Sequence, residues 1–154
     1  ALLRYERLPG VPAASTPAQL RAALAVEGAL LGRMGASLRD DARVVGRPVR
    51  SGLLAGDWHV GAALRIGSSA HVLPPHFGQA AAQSAEDATV LGDLLRAGFD
   101  RDELLVRFGA RRADRAAHVH ALASQAARWD LDPEPATDIA ALARRLAPIV
   151  ERGA

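Results

Sequence analysis

Apolar side chains recur at helical spacing through most of this chain. In residues 17–26, Leu20, Ala23 and Leu24 fall three and four apart, the spacing that lines one face of a helix. Ser15 or Thr16 supplies an N-cap hydroxyl, and Pro17 takes the first helical position, where its missing N–H is no loss. Residues 29–38 predict a second short helix, closed by Arg39-Asp40-Asp41. Residues 79–96 predict a longer one, with Ala81, Ala85, Ala88, Leu91 and Leu95 on or near one apolar face and Gly98 as its stop. Asp100 caps the next helix, with Glu103 in the capping-box position, and the pattern runs to about Trp129. After a linker at 130–135, residues 136–152 predict a final helix with Ile139, Leu142, Leu146 and Ile149 or Val150 as its stripe.

Extended stretches are fewer. Residues 1–8 alternate loosely and are broken by Pro9-Gly10-Val11-Pro12. Residues 43–50 alternate basic and apolar side chains, and Pro48 places such a strand at an edge or a bulge. Residues 52–58 predict a turn region. Residues 60–66 form a nearly continuous apolar run, the pattern of a strand buried on both faces. The expected fold class is mostly α with a small β component (α+β), two or three strands packing on four or five helices. Three segments are expected in one compact unit: 1–58, 59–97 and 98–154. Short strands with open edges and apolar stripes on both sides of the linker predict self-association or a partner chain.

Composition narrows the chemistry. With 154 residues the chain has room for one modest core. It contains no Cys, which excludes disulfides, thiolate catalysis and Cys-ligated metals. All 19 cationic side chains are Arg, interspersed with acids to a net charge of +2, and aromatics are few, a poor footprint for nucleic acid. No apolar run approaches the ~18 residues of a membrane span, and no signal-like segment opens the chain, so a cytoplasmic location is expected. No GxGxxG follows a predicted strand, so the dinucleotide fingerprint is absent.

Chemistry concentrates in residues 67–88, GSSAHVLPPHFGQAAAQSAEDA. A small-residue turn at 67–70 leads through a proline-bent loop at 71–78 to a helix opening at Gln79. The first amides of a helix have no intrahelical acceptor and sit at the positive end of the macrodipole, so they can hold an electron-rich group. The stretch resembles the flavin-contacting segment near the C-terminal end of single-component FAD-dependent monooxygenases of the aromatic-hydroxylase type. The resemblance rests on Gly67, Ala70, His71, Pro75, Gly78, Gln79, Glu86, Asp87 and Ala88. The pairs Val90-Leu91 and Leu94-Leu95, residues 43–50 and residues 107–115 extend it, so that it covers roughly residues 1–125. Two positions depart from the family pattern. Ser68 stands where the family has an Asp that binds the ribityl chain, and Ala80 stands where it has a Gly that admits the ring.

The resemblance implies FAD as cofactor, NAD(P)H as co-substrate, O₂, and hydroxylation of a small aromatic or polyketide-like substrate. It implies flavin contact at Gly67, Ser68, Pro75, Gly78, Gln79, Ala80 and Ala81, with no side-chain catalyst, and a substrate-side position for His76. It also implies a dinucleotide-binding front half in a chain more than twice this long. The missing piece is expected as a preceding segment or as a partner chain. The rival expectation is a non-catalytic helical binding or dimerisation module that has lost flavin binding, and Ser68, Ala80 and the missing fingerprint favour it.

Other residues carry open alternatives. His71 and His76 are substrate-site groups, loop-orienting groups or ordinary structural histidines. His118 and His120 are two apart on a helix and face different sides, so no metal site is expected. Glu86-Asp87 either holds the loop or an Arg, or is a solvated acidic pair. Arg111, Arg112 and Arg115 pair with Asp87 or a phosphate, or form a solvated face, the usual outcome. Trp58 and Trp129 are expected as packing anchors.

Overall fold

The computed structural model describes residues 16–45 and 49–152. They fall into two compact units, residues 16–45 and residues 49–152. The predicted strand at 1–8 lies outside the described residues, as does the middle of the one at 43–50; the described ends of the latter, 43–45 and 49–50, have no strand structure.

The smaller unit is a helical pair, α1 (Pro17–Ala25) and α2 (Ala29–Ala36). Thr16 caps α1 as expected. Its hydroxyl accepts from the Gln19 amide at 3.2 Å, and the Gln19 side chain accepts from the Thr16 amide at 2.9 Å. This reciprocal pair satisfies two donors that the helix start would leave open. Gly35 lets α2 approach α1, since a Cβ there would lie 3.0 Å from the Leu24 Cβ.

The larger unit holds four two-residue strands and three helices: β1 (Gly52–Leu53), β2 (His59–Val60), β3 (Ala63–Leu64), β4 (His71–Val72), α3 (Gln79–Arg96), α4 (Arg101–Leu131) and α5 (Ile139–Glu151). Strand β1 pairs antiparallel with β4, and β2 with β3. The long helix α4 is the spine. Its first half gives Leu104, Leu105, Phe108 and Ala116 to a core with Trp58, Ala70, Val90 and Leu94. Its second half gives Val119, Leu122 and Ala126 to a second core with Leu73, Leu142 and Leu146. The Asp100 cap is present, its carboxylate accepting from the Glu103 amide at 2.9 Å. Trp58 is buried against Phe108, ring centroids 6.2 Å apart, the anchoring role expected of it.

Two expectations are overturned. Residues 60–66 are not a strand buried on both faces. They fold back as the β2–β3 hairpin, with Gly61 at φ +56 and Val60 exposed. An apolar run is buried on two faces only when other layers cover it, and among the described residues none does. The second correction concerns α3. Ala81, Ala85, Ala88 and Leu95 are exposed and Leu91 is half-buried. The buried face is Gln83, Asp87, Val90 and Leu94. Hydropathy ranks a face led by Gln and Asp as the outer one, and only a partner that neutralises those groups reverses the ranking.

The orientation of α3 is directly testable. Leu94→Ala should destabilise the chain by about 2–5 kcal/mol as a buried truncation. Leu95→Ala, at 63 % exposure, should stay within about 0.5 kcal/mol. Urea titrations of both variants give the comparison, and the reverse order would restore the face drawn from hydropathy.

Candidate functional site

Residues 67–71 form a tight turn between β3 and β4. Gly67 has φ +55, a left-handed conformation that favours glycine, and a Cβ there would come 3.0 Å from the Ser84 Oγ of α3. Two constraints therefore select glycine, backbone sign and close approach. The Ala70 amide donates to the Gly67 carbonyl at 2.9 Å. Ser69 closes the outer side, its hydroxyl accepting from the Ile66 amide at 3.0 Å and donating to the Ile66 carbonyl at 2.7 Å. Ser68 is exposed at the tip.

A single carboxylate oxygen holds both ends of this turn. Asp87 Oδ2 accepts from the Gly67 amide at 2.7 Å and from His71 Nε2 at 2.9 Å. A carboxylate only accepts, so His71 carries its proton on Nε2. The other oxygen, Oδ1, accepts from Arg112 Nε at 2.6 Å. Asp87 and Arg112 are both fully buried. Burial pushes the Asp87 carboxyl up, but the hydrogen bonds from His71 and Gly67 and the Arg112 guanidinium outweigh it and hold the group below its ordinary value. Of the readings open for Glu86-Asp87, Asp87 holds an Arg and the first residue of the loop, His71, and it holds the Gly67 turn besides. His71 is a turn-orienting group.

The network continues outward along α3 and α4. Arg112 Nη2 donates to Gln83 Oε1 at 2.9 Å, and its Nη1 is ion-paired with Glu86 Oε1 at 3.0 Å. The same Glu86 oxygen pairs with Arg115 Nε, and Gln83 Nε2 donates to Glu86 Oε2 at 3.0 Å. Arg115 Nη1 donates to the Ile149 carbonyl of α5. Gln83 was not singled out from the sequence. Its signal is the spacing of Gln83, Glu86 and Asp87 on α3 opposite Arg112 and Arg115 on α4, residues three and four apart sharing a face. Arg111 is exposed, whereas Arg112 and most of Arg115 are not, so the solvated-face outcome fails for two of the three.

The loop after β4 carries the other candidates. Pro74 is buried and Pro75 exposed; Phe77 has φ 66, and Gly78 follows at φ 65. Two successive left-handed residues reverse the chain into α3, and a phenylalanine in that region stores strain. Phe77 also packs against the second core. The sequence carries no signal of its conformation, since phenylalanine rarely adopts a positive φ. Gly78 is the N-cap, and no side chain caps α3. Gln79 is half-buried and donates to the Phe77 carbonyl at 3.2 Å, while Ala80 and Ala81 are exposed. His76 is half-buried, its Nε2 3.6 Å from Asp130 Oδ2. Ser68 thus lies at the tip of the turn and the Pro75-to-Ala81 positions follow one another into the open end of α3.

Elsewhere, His120 Nε2 lies 2.9 Å from Ser51 Oγ, which is also 2.8 Å from Ser124 Oγ. Burial lowers the His120 pKa from its ordinary 6.5, and the nearby His71 adds to the effect. Among the described residues no cluster of three His, Asp or Glu side chains could hold a metal ion. No described helix is long and apolar enough to cross a membrane.

With this geometry in hand, comparison with known proteins gives a fold. The chain is similar to Klebsiella pneumoniae HpxO complexed with FAD and uric acid, with a TM-score of 0.67 and 20% identity over 94% of this chain and 37% of that one. It is also similar to an arginine-to-glutamine variant of HpxO complexed with FAD, with a TM-score of 0.60 and 22% identity over 95% of this chain and 38% of the other. The chain therefore spans little more than a third of the length of these structures. No family model and no curated protein matches it.

Removing the Asp87 charge should be costly. Asp87→Asn leaves Arg112 buried without its main counter-charge, and such losses run to about 3–5 kcal/mol. Combining it with Arg112→Met should recover part of that cost, a coupling that a double-mutant cycle in urea would measure; additive losses would show that the two side chains do not act as a pair.

Stability should also fall with acid in two steps. His120 has a depressed pKa in the folded chain, so its contribution is present above the unfolded value of about 6.5 and is lost as pH falls through the folded value. Asp87 is depressed too, so its contribution is present above about 3.9 and is lost as pH falls further. Thermal midpoints measured from pH 8 to pH 3 should show both steps. His120→Gln should abolish the upper one and leave the lower.

Proposed function

We propose that this chain is the C-terminal part of a monooxygenase-like flavoprotein, in which the 67–71 turn and the open start of α3 face FAD. The carrying observation is the fold shared with FAD-complexed structures over nearly all of this chain, together with a glycine turn whose geometry a buried carboxylate fixes. FAD, when bound, supplies the redox chemistry that protein side chains lack. The residues present fit part of that cofactor. Gly67 leaves no side chain in the turn, and the exposed Ser68 hydroxyl can exchange hydrogen bonds with ribityl hydroxyls. Ala80 and Ala81 leave the first amides of α3 open, where they and the macrodipole would offset negative charge on a bound flavin.

On this reading the protein orients the ring and the substrate rather than supplying an acid or base. The reaction class is hydroxylation of an aromatic or polyketide-like substrate, with NAD(P)H as reductant and O₂ as oxidant. HpxO is complexed with uric acid, a planar heteroaromatic, which fits that class. On this reading His76 takes the substrate side of the loop. A preceding segment or a partner chain supplies the phosphate-binding fingerprint on the same reading. A second reading is favoured by Ser68 and Ala80: a helical binding or dimerisation module of the same fold without flavin.

FAD fluorescence quenching separates the two. The 154-residue chain alone should bind FAD weakly, and sub-micromolar affinity would show that no front half is needed. Ser68→Asp places a charged acceptor at the tip and should tighten that weak binding about 10- to 150-fold, the equivalent of a hydrogen bond to a charged group. Because Ser68 is exposed, the carboxylate stays solvated and the thermal midpoint should not fall. An unchanged affinity would favour the flavin-free module.

A further inference from the structure

A continuous path of polar contacts joins the glycine turn to the C-terminal helix. The Gly67 amide and His71 bind Asp87, Asp87 binds Arg112, Arg112 pairs with Glu86, and Glu86 pairs with Arg115. Arg115 then donates to the Ile149 carbonyl. Ile149 lies in the last turn of α5, which ends at Glu151, where carbonyls have no intrahelical donor. Its acceptor is therefore open to a side chain from another helix. Glu86 and Arg115 are each 14 % exposed, enough burial for their charges to feel one another strongly.

We propose that Arg115 is a positioning residue for the 67–71 turn, acting through Glu86, Arg112 and Asp87, so that the docking of α5 sets how firmly the turn is held. The planar guanidinium is what makes the joint: Nε meets Glu86 while Nη1 reaches Ile149, a fork that a lysine ammonium does not reproduce. When Arg115 is lost, Glu86 turns its whole charge on Arg112. Arg112 is then drawn outward along α3, away from Asp87 Oδ1, and the carboxylate that fastens Gly67 and His71 loses its fixed point. The turn's importance to FAD rests on the flavin reading above. The mechanical link between α5 and Gly67 does not.

The test is amide exchange and chemical shift by NMR on the ¹⁵N-labelled chain without flavin. In Arg115→Gln the Gly67 amide should exchange about 10-fold faster or more, the loss of one charge-assisted hydrogen bond, and its resonance should move. The Val90 amide, in the core-facing part of α3, should keep its protection. Arg115→Lys should fail to restore Gly67. Glu86→Gln removes the charge that draws Arg112 outward and leaves it to Asp87, so in this variant the Gly67 amide should exchange more slowly and its resonance should move the opposite way, which covers the case in which Arg115→Gln does not fold. An unmoved Gly67 amide, or a loss of protection that is uniform across α3, would overturn the proposal. FAD titration of the same variants separates the two ideas, since a displaced Gly67 with unaltered FAD binding keeps the relay and sinks the flavin reading of the turn.

Discussion

A carboxylate with no access to water must be met by donors, and the donors that meet Asp87 come from three different parts of the chain. One is a backbone amide in a glycine turn, one is an imidazole at the start of a strand, and one is a guanidinium on the neighbouring helix. Each alone would leave a charge uncompensated in a low-dielectric setting. Together they fix which face of α3 turns inward, hold α3 against α4, and set the conformation of the turn. Gln83 adds its side chain to the same guanidinium. The inner face of α3 is accordingly as polar as it is apolar, and the outer face is left with alanines.

The consequences run in two directions. Toward the turn, Gly67 must stay glycine and Ser68 is presented at the tip without contributing to packing. Toward the helices, Glu86 and Arg115 carry the charge network to the edge of α5. The strained Phe77 and the uncapped start of α3 are set apart from this network by the proline loop. They are held instead by the second core, through the side chain of Phe77. The two halves of the candidate site are thus fixed by different physics, one by a buried ion pair and the other by apolar packing.

The larger unit forms its strands only in pairs of two residues, and its long helix serves two cores. Such an arrangement puts little of its apolar surface into sheet layers. The structures it is similar to are more than twice its length, and the chain corresponds to 37% and 38% of them. Val60 on β2 and Leu95 on α3 are left outside. Surfaces of this kind are buried only when further layers are present.

Much of the helical frame was legible in the sequence. Pro17 after Thr16, Asp100 three residues before Glu103, and the Leu142–Leu146 spacing are local signals. Capping and periodicity act within a turn or two, so a single stretch of chain contains all the information they need. The glycine turn and the proline loop were legible for the same reason. What the sequence alone could not decide was which way α3 faced and whether residues 60–66 were covered. Both depend on groups distant along the chain: Arg112 lies 25 residues from Asp87, and a charge becomes an inside residue only once that partner is in place. Tertiary structure decided this because the free energy of a buried ion pair belongs to the pair and its surroundings, not to either residue.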